Sequence, residues 1–80
     1  MPQYTKHRAT LCGRVIGLSG QTLKLQPTPN GYRIFELKGK STLAHRFIYS
    51  YFHGEIPEGL VIDHKNGDKT DNRLSNLQAI

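Results

Sequence analysis

Residues 62–77 read Ile62-Asp63-His64-Lys65-Asn66-Gly67-Asp68-Lys69-Thr70-Asp71-Asn72-Arg73-Leu74-Ser75-Asn76-Leu77, a polar run between apolar anchors, three residues before the last position of an 80-residue chain. Pro57-Glu58-Gly59 upstream has turn chemistry, and Leu60-Val61-Ile62 reads as a short buried strand that leaves the core at Asp63. Asn66-Gly67 and Asp71-Asn72 are turn pairs, and Asn76 suits the capping of backbone groups, so backbone conformation accounts for most of the amides. It does not account for adjacent Asp63 and His64. A calcium loop of the EF-hand kind, counted from Asp63, meets Lys65 at an oxygen-ligand position, Asp68 where glycine is needed and Leu74 where glutamate is needed. A structural zinc site needs four Cys or His ligands, and this run holds one histidine.

Phosphodiester hydrolysis fits the pair better. It requires a nucleophilic water, a base to deprotonate it and a cation to stabilise charge on the phosphate. Neighbouring side chains diverge at a strand end, so Asp63 can bind a divalent cation while His64 takes a proton from water. The second imidazole nitrogen then needs an acceptor such as a loop carbonyl, and a downstream Asn can brace that loop.

The segment before it reads as a helix. Leu43, Phe47 and Tyr51 fall on one helical line and Ala44, Ile48 and Phe52 on the next, with Thr42 placed to cap the start and Gly54 the end. The opposite face carries His45, Arg46, Tyr49, Ser50 and His53. Tyr49 and Ser50 are expected to be exposed, Arg46 to meet phosphate and His45 to be structural. Further upstream the pattern is that of strands. Arg14–Gly17 and Gln21–Gln26 read as a hairpin about Leu18-Ser19-Gly20, Pro27–Gly31 as a turn, Tyr32–Leu37 as an alternating strand, and Lys38-Gly39-Lys40 as a turn into Ser41-Thr42-Leu43.

Composition sets the frame. Eighty residues allow one domain with a thin core. Hydrophobic residues at 36% and charged residues at 21% exclude a disordered tail. No apolar run approaches the roughly 18 residues of a membrane span, and the start lacks a signal-peptide core, which predicts a cytoplasmic protein with no membrane partner. Cys12 is the only cysteine, excludes an internal disulfide and is expected to be a small buried side chain. Residues 1–53 carry eight Lys and Arg against Glu36 alone, whereas residues 54–80 carry three against five acids. A basic body beside an acidic segment suits a polyanionic partner with a cation between them, or else an ordinary solvated surface. Stacking of Tyr32, Phe35, Tyr49 and Tyr51 on RNA bases is a weaker reading, since Phe35 and Tyr51 fit the core.

Three runs together carry a resemblance: Ala44 to Gly54, Ile56 to His64, and Asn66 to Leu77. They resemble the HNH endonucleases, and within them the phage and intron homing-endonuclease branch. The likeness is close over residues 43 to 78, and the preceding strands also look like the segment before the motif in that branch. It implies an α+β fold: N-terminal antiparallel strands over residues 1–43, then over 44–80 one helix and the β-hairpin of a ββα-metal motif, without most or all of the second helix. It further implies Asp63 as metal ligand, His64 as general base, and Asn76, twelve positions on, as the central Asn that braces the loop and orients the base. The family's second helix brings another His or Asn ligand, which would fall beyond Ile80. One divalent cation, Mg²⁺ or Mn²⁺, is the implied cofactor and DNA in a bacterial host cell the implied partner, with Arg33, Lys38, Lys40, Arg46, Lys65 and Arg73 on its backbone. The alternative is a non-cleaving HNH-like protein that contacts DNA or inhibits a host nuclease or polymerase.

Overall fold

The computed structural model describes residues 7–37 and 39–80; Lys38, among the expected DNA contacts, lies outside them. The described chain is α+β, as expected: three small antiparallel sheets around one helix. Strand β1 (Arg8–Ala9) pairs with β2 (Val15–Ile16). Strand β4 (Arg33–Leu37) is the centre of a second sheet, flanked by β3 (Gln26–Pro27) and β5 (Lys40–Leu43). Helix α1 (Ala44–His53) follows β5 directly. Strand β6 (Ile62–His64) closes a hairpin with β7 (Leu77–Ala79), and a single 3₁₀ turn, Leu74–Asn76, leads into β7.

The core is as thin as the length predicts, and every layer contributes to it. Ala9, Val15, Phe35, Ala44, Ile48, Ile62 and Leu77 are the buried apolar residues, drawn from both sides of the helix. Burying a side chain the size of Ile48 or Phe35 contributes about 1.5–3 kcal/mol, so each is a large share of the total for so small a core.

Several local expectations are corrected. Val15–Ile16 does not take Gln21–Gln26 as its strand partner. It pairs with Arg8–Ala9, and only the bridge Ile16 to Thr22 remains of the expected hairpin, while Gln26 and Pro27 join β4. The Gly17–Gln21 turn does form, with Gly17 N–H donating to the Gln21 carbonyl at 2.8 Å. Thr42 does not cap α1, because it is still in β5; Leu43 holds the N-cap position without a side-chain bond, and Gly54 ends the helix at φ 88° as expected. Tyr51 and Phe52, at 46% and 38% exposure, stand outside the core, because the helix buries only the Ala44, His45 and Ile48 side. Tyr49 and Ser50 are half-buried rather than exposed. Cys12 is exposed, being carried outward by the tight turn that Gly13 N–H closes on the Thr10 carbonyl. Finally, the strand expected at Leu60–Ile62 is shifted by two residues. Leu60 and Val61 are exposed, and Asp63 and His64 lie within β6 rather than past its end.

Candidate active site

Within β6 side chains alternate between faces, so Asp63 and His64 part company: His64 is buried and Asp63 half-buried. The register places Asp63 opposite Gln78 and His64 opposite Leu77. Gln78 Nε2 donates to Asp63 Oδ2 at 3.1 Å, which orients the carboxylate from across the hairpin. His64 Nε2 lies 2.8 Å from Asn72 Oδ1. An amide oxygen only accepts, so Nε2 carries the hydrogen and donates, and Nδ1 keeps its lone pair. That is the arrangement a general base needs, with one nitrogen fixed and the other basic. The acceptor is a side-chain amide, where a loop carbonyl was expected.

Asn76 is buried beneath the loop and ties it together. Its Oδ1 accepts from Asn66 N–H at 3.2 Å, and its Nδ2 donates to the Asp71 carbonyl at 2.9 Å and to Asn66 Oδ1 at 3.0 Å. Its own carbonyl accepts from Lys65 N–H at 2.7 Å, immediately after His64. The outer loop is braced in the same way. Thr70 donates from both N–H and hydroxyl to Asp68 Oδ1, and these bonds hold the Asp68 carboxyl below its usual range. Arg73 meets Asp71 through two bonds of 2.7 Å and, as the main cause, holds that carboxyl down at about 2, with Asn66 adding a third bond.

Behind His64 stands a stack of rings. His45, at the start of α1, lies 4.8 Å from the His64 ring and 5.1 Å from the Tyr32 ring, to which it is nearly parallel at 17°. Burial, aided by the charges of His64 and Arg46, pushes the His45 pKa down to about 4, so the ring is neutral at neutral pH. Lys69 reaches over Tyr32, with Nζ 4.7 Å from the ring centre, and donates to the Asn30 carbonyl at 2.9 Å.

The basic residues expected to meet DNA are spread over the chain. Arg33 is half-buried in β4, Lys40 is exposed at the start of β5, and Arg46 is exposed on α1 next to His45. Lys65 is exposed and lines an open cleft with Leu11, His53, Leu74, Ser75 and Leu77. Arg73 is exposed but paired with Asp71. Among the described residues no three His, Cys, Asp or Glu side chains converge as a metal-ligating group. The sequence reads Asn72 as turn chemistry and gives no sign of its bond to His64, and Gln78 becomes visible only once the register opposite Asp63 is known.

Comparison with known proteins agrees with this fold. Residues 42–80 match the family model for HNH endonuclease. The chain is 42% identical over 66 residues to DNA endonuclease I-HmuI of Bacillus phage SP01, a match covering 78% of this chain and 38% of that protein. It is 34% identical over 58 residues to YosQ of Bacillus subtilis strain 168, named for an HNH homing endonuclease of the SPbeta prophage, covering 66% of this chain and 34% of that protein. A solved structure of DNA binding and cleavage by the HNH homing endonuclease I-HmuI aligns at a TM-score of 0.77 and 34% identity, over 92% of this chain and 45% of that one. The chain thus spans less than half the length of the relatives it matches. No helix among the described residues is long and apolar enough to cross a membrane. The match over residues 42–80, with the likeness in sequence and structure to I-HmuI, identifies that segment of the chain as an HNH endonuclease motif.

Proposed function

We propose that the chain is a metal-dependent DNA endonuclease that hydrolyses phosphodiester bonds, with His64 as the base. The observation that carries this reading is the 2.8 Å contact of His64 Nε2 with Asn72 Oδ1, which, with Nε2–H donating, leaves Nδ1 as the basic atom. Nδ1 is the atom that takes the proton from the attacking water. Asn76 acts at one remove: by holding the backbone at Lys65 and Asn66 it sets the position of the residue just before them. Asp63, steadied by Gln78, would hold one divalent cation, Mg²⁺ or Mn²⁺. A single carboxylate fits Mg²⁺, which commonly takes one or two carboxylates and completes its shell with water and substrate phosphate. The bound ion supplies charge stabilisation at the phosphate. Arg33, Lys38, Lys40, Arg46, Lys65 and Arg73 are assigned to the DNA backbone, where their loss should weaken binding without altering sequence preference.

The test is nicking of supercoiled plasmid by the full chain with and without Mg²⁺ or Mn²⁺, beside His64→Ala. Nicked circles are expected only with the cation, and the variant should lose about 10²–10⁴-fold in rate while still binding DNA. Equal cleavage by the variant would remove His64 from the chemistry. The absence, among the described residues, of three converging His, Cys, Asp or Glu side chains favours a second reading, a DNA-contacting protein that does not cut. Retained duplex binding with no nicking under any cation would establish that one.

A further inference from the structure

Four polar side chains are buried among the described residues: His45, His64, Asn72 and Asn76. His64 and Asn72 bond each other, and Asn76 is bonded to Asn66 and Asp71. His45 differs from them. It is 5% exposed, yet its ring has no hydrogen-bond partner among the described residues. A buried imidazole without a partner has given up its hydration for nothing, whereas phenylalanine would fill the same stack against Tyr32 with no polar group to satisfy. Packing explains an aromatic ring here and leaves the nitrogens unexplained. No described residue supplies that partner, and the neighbouring functional group is the His64 ring at 4.8 Å.

We propose that His45 is a second imidazole of the site, which donates a hydrogen bond from its neutral ring to a phosphate oxygen of the DNA that His64 acts on. The proposal rests on the endonuclease reading given above. Tyr32 fixes the plane of the ring from one side, and α1 fixes its backbone, so the donor is oriented before substrate arrives. The low pKa keeps the ring from competing with His64 for a proton and from adding charge beside it. The hydrogen bond is satisfied only in the complex, which places its stabilisation where it assists binding and reaction.

His45→Phe and His45→Gln separate the donor from the packing. His45→Phe keeps an aromatic ring in the stack and should unfold within a few degrees of the parent, but nick plasmid about 10²-fold more slowly. His45→Gln, which retains an N–H, should recover part of that loss. Parent-like nicking by His45→Phe would overturn the proposal, leaving His45 a packing residue. A second measurement does not depend on cleavage: imidazole ¹⁵N and ¹H resonances of the full chain titrated with a short DNA duplex in the absence of divalent cation. The His45 ring N–H should move downfield and become protected from exchange. No change there on saturation with duplex overturns the proposal even if the chain cleaves. Failure of the parent chain to nick, with that shift present, would instead count against the endonuclease reading and leave His45 as a phosphate contact.

Discussion

Between His64 and Asn76 the backbone is shaped by Asn, Asp and Thr side chains that bond residues at most ten positions away, and every Asn and Asp in the segment takes part. Between Arg8 and Leu43 the strands are two to five residues long and are held by backbone pairing, glycine turns and apolar contacts from distant parts of the chain. The first region carries its own instructions. The second acquires its shape from what it packs against, because a two-residue strand has little stability by itself. Their meeting points are few and specific. Leu74 N–H donates to the Leu11 carbonyl at 3.0 Å, Lys69 reaches Asn30, and Gly13 sits directly on the backbone of Asn72 and Arg73.

The largest break in this scheme should come from Gly13→Ala. An added Cβ would lie 2.7 Å from the Asn72 carbonyl carbon and 2.8 Å from Arg73 N, at a φ of +95°. Neither backbone atom can retreat without displacing the residue that holds His64. We expect a loss of about 2–4 kcal/mol in denaturant unfolding. Gly20→Ala is the control, with φ +88° and nothing within 4 Å of its Cβ, and should lose only about 1 kcal/mol. Equal losses would mean that the contact at Asn72 is immaterial and only the backbone angle counts.

Asn76→Ala should come next. It leaves the Asn66 N–H and the Asp71 carbonyl without their side-chain partner in a partly buried setting, a loss of about 2–3 kcal/mol. Amide exchange at Asn66 should accelerate while exchange in β4 stays unchanged, if the loop is organised locally. Uniform acceleration across both regions would contradict the contrast drawn between them.

The smallest effect belongs to the loop surface. The Asp71 carboxyl sits at about 2 against an ordinary 3.8, chiefly through Arg73. A depressed carboxyl contributes stability that is complete above its unfolded value and disappears as pH falls toward the folded one. The contribution should therefore be intact above about pH 4 and fade between pH 4 and 2. Asp71→Asn should flatten the Tm-versus-pH curve slightly in that window alone, and salt should shrink the difference because the pair faces water. Parallel curves for the parent and the variant would show that the pair contributes nothing.

The uneven legibility of the sequence follows the same division. Asp63 and His64 stand out in the sequence because an acid beside a histidine has no turn function, whereas Asn76 reads as a cap on its own residues and gains its role only from the family resemblance. Asn72 escaped notice because Asp-Asn is also good turn chemistry, and only the closed loop reveals that its amide faces the His64 ring. His45 was noticed but read as structural, since nothing in a helical pattern tells a partnered imidazole from an unpartnered one. In the N-terminal half, Arg8–Ala9 is too short to show a period of two, so the true partner of Val15–Ile16 was invisible. The two-residue shift of β6 has a related cause. Leu60 and Val61 are apolar enough for a buried strand, yet the pairing with Leu77–Ala79 pulls the ladder onto Asp63 and His64.

The seat of Gly13 on Asn72 also decides where such a unit can be cut for transplantation. The family motif begins at residue 42, and a graft made at that boundary would carry the histidine, the loop and the hairpin intact. It would leave behind Leu11, Gly13, Asn30 and Tyr32, which lie against Leu74, Asn72, Lys69 and His45. A portable fragment therefore has to reach back at least to Leu11, and the motif alone is a shorter piece than its working geometry.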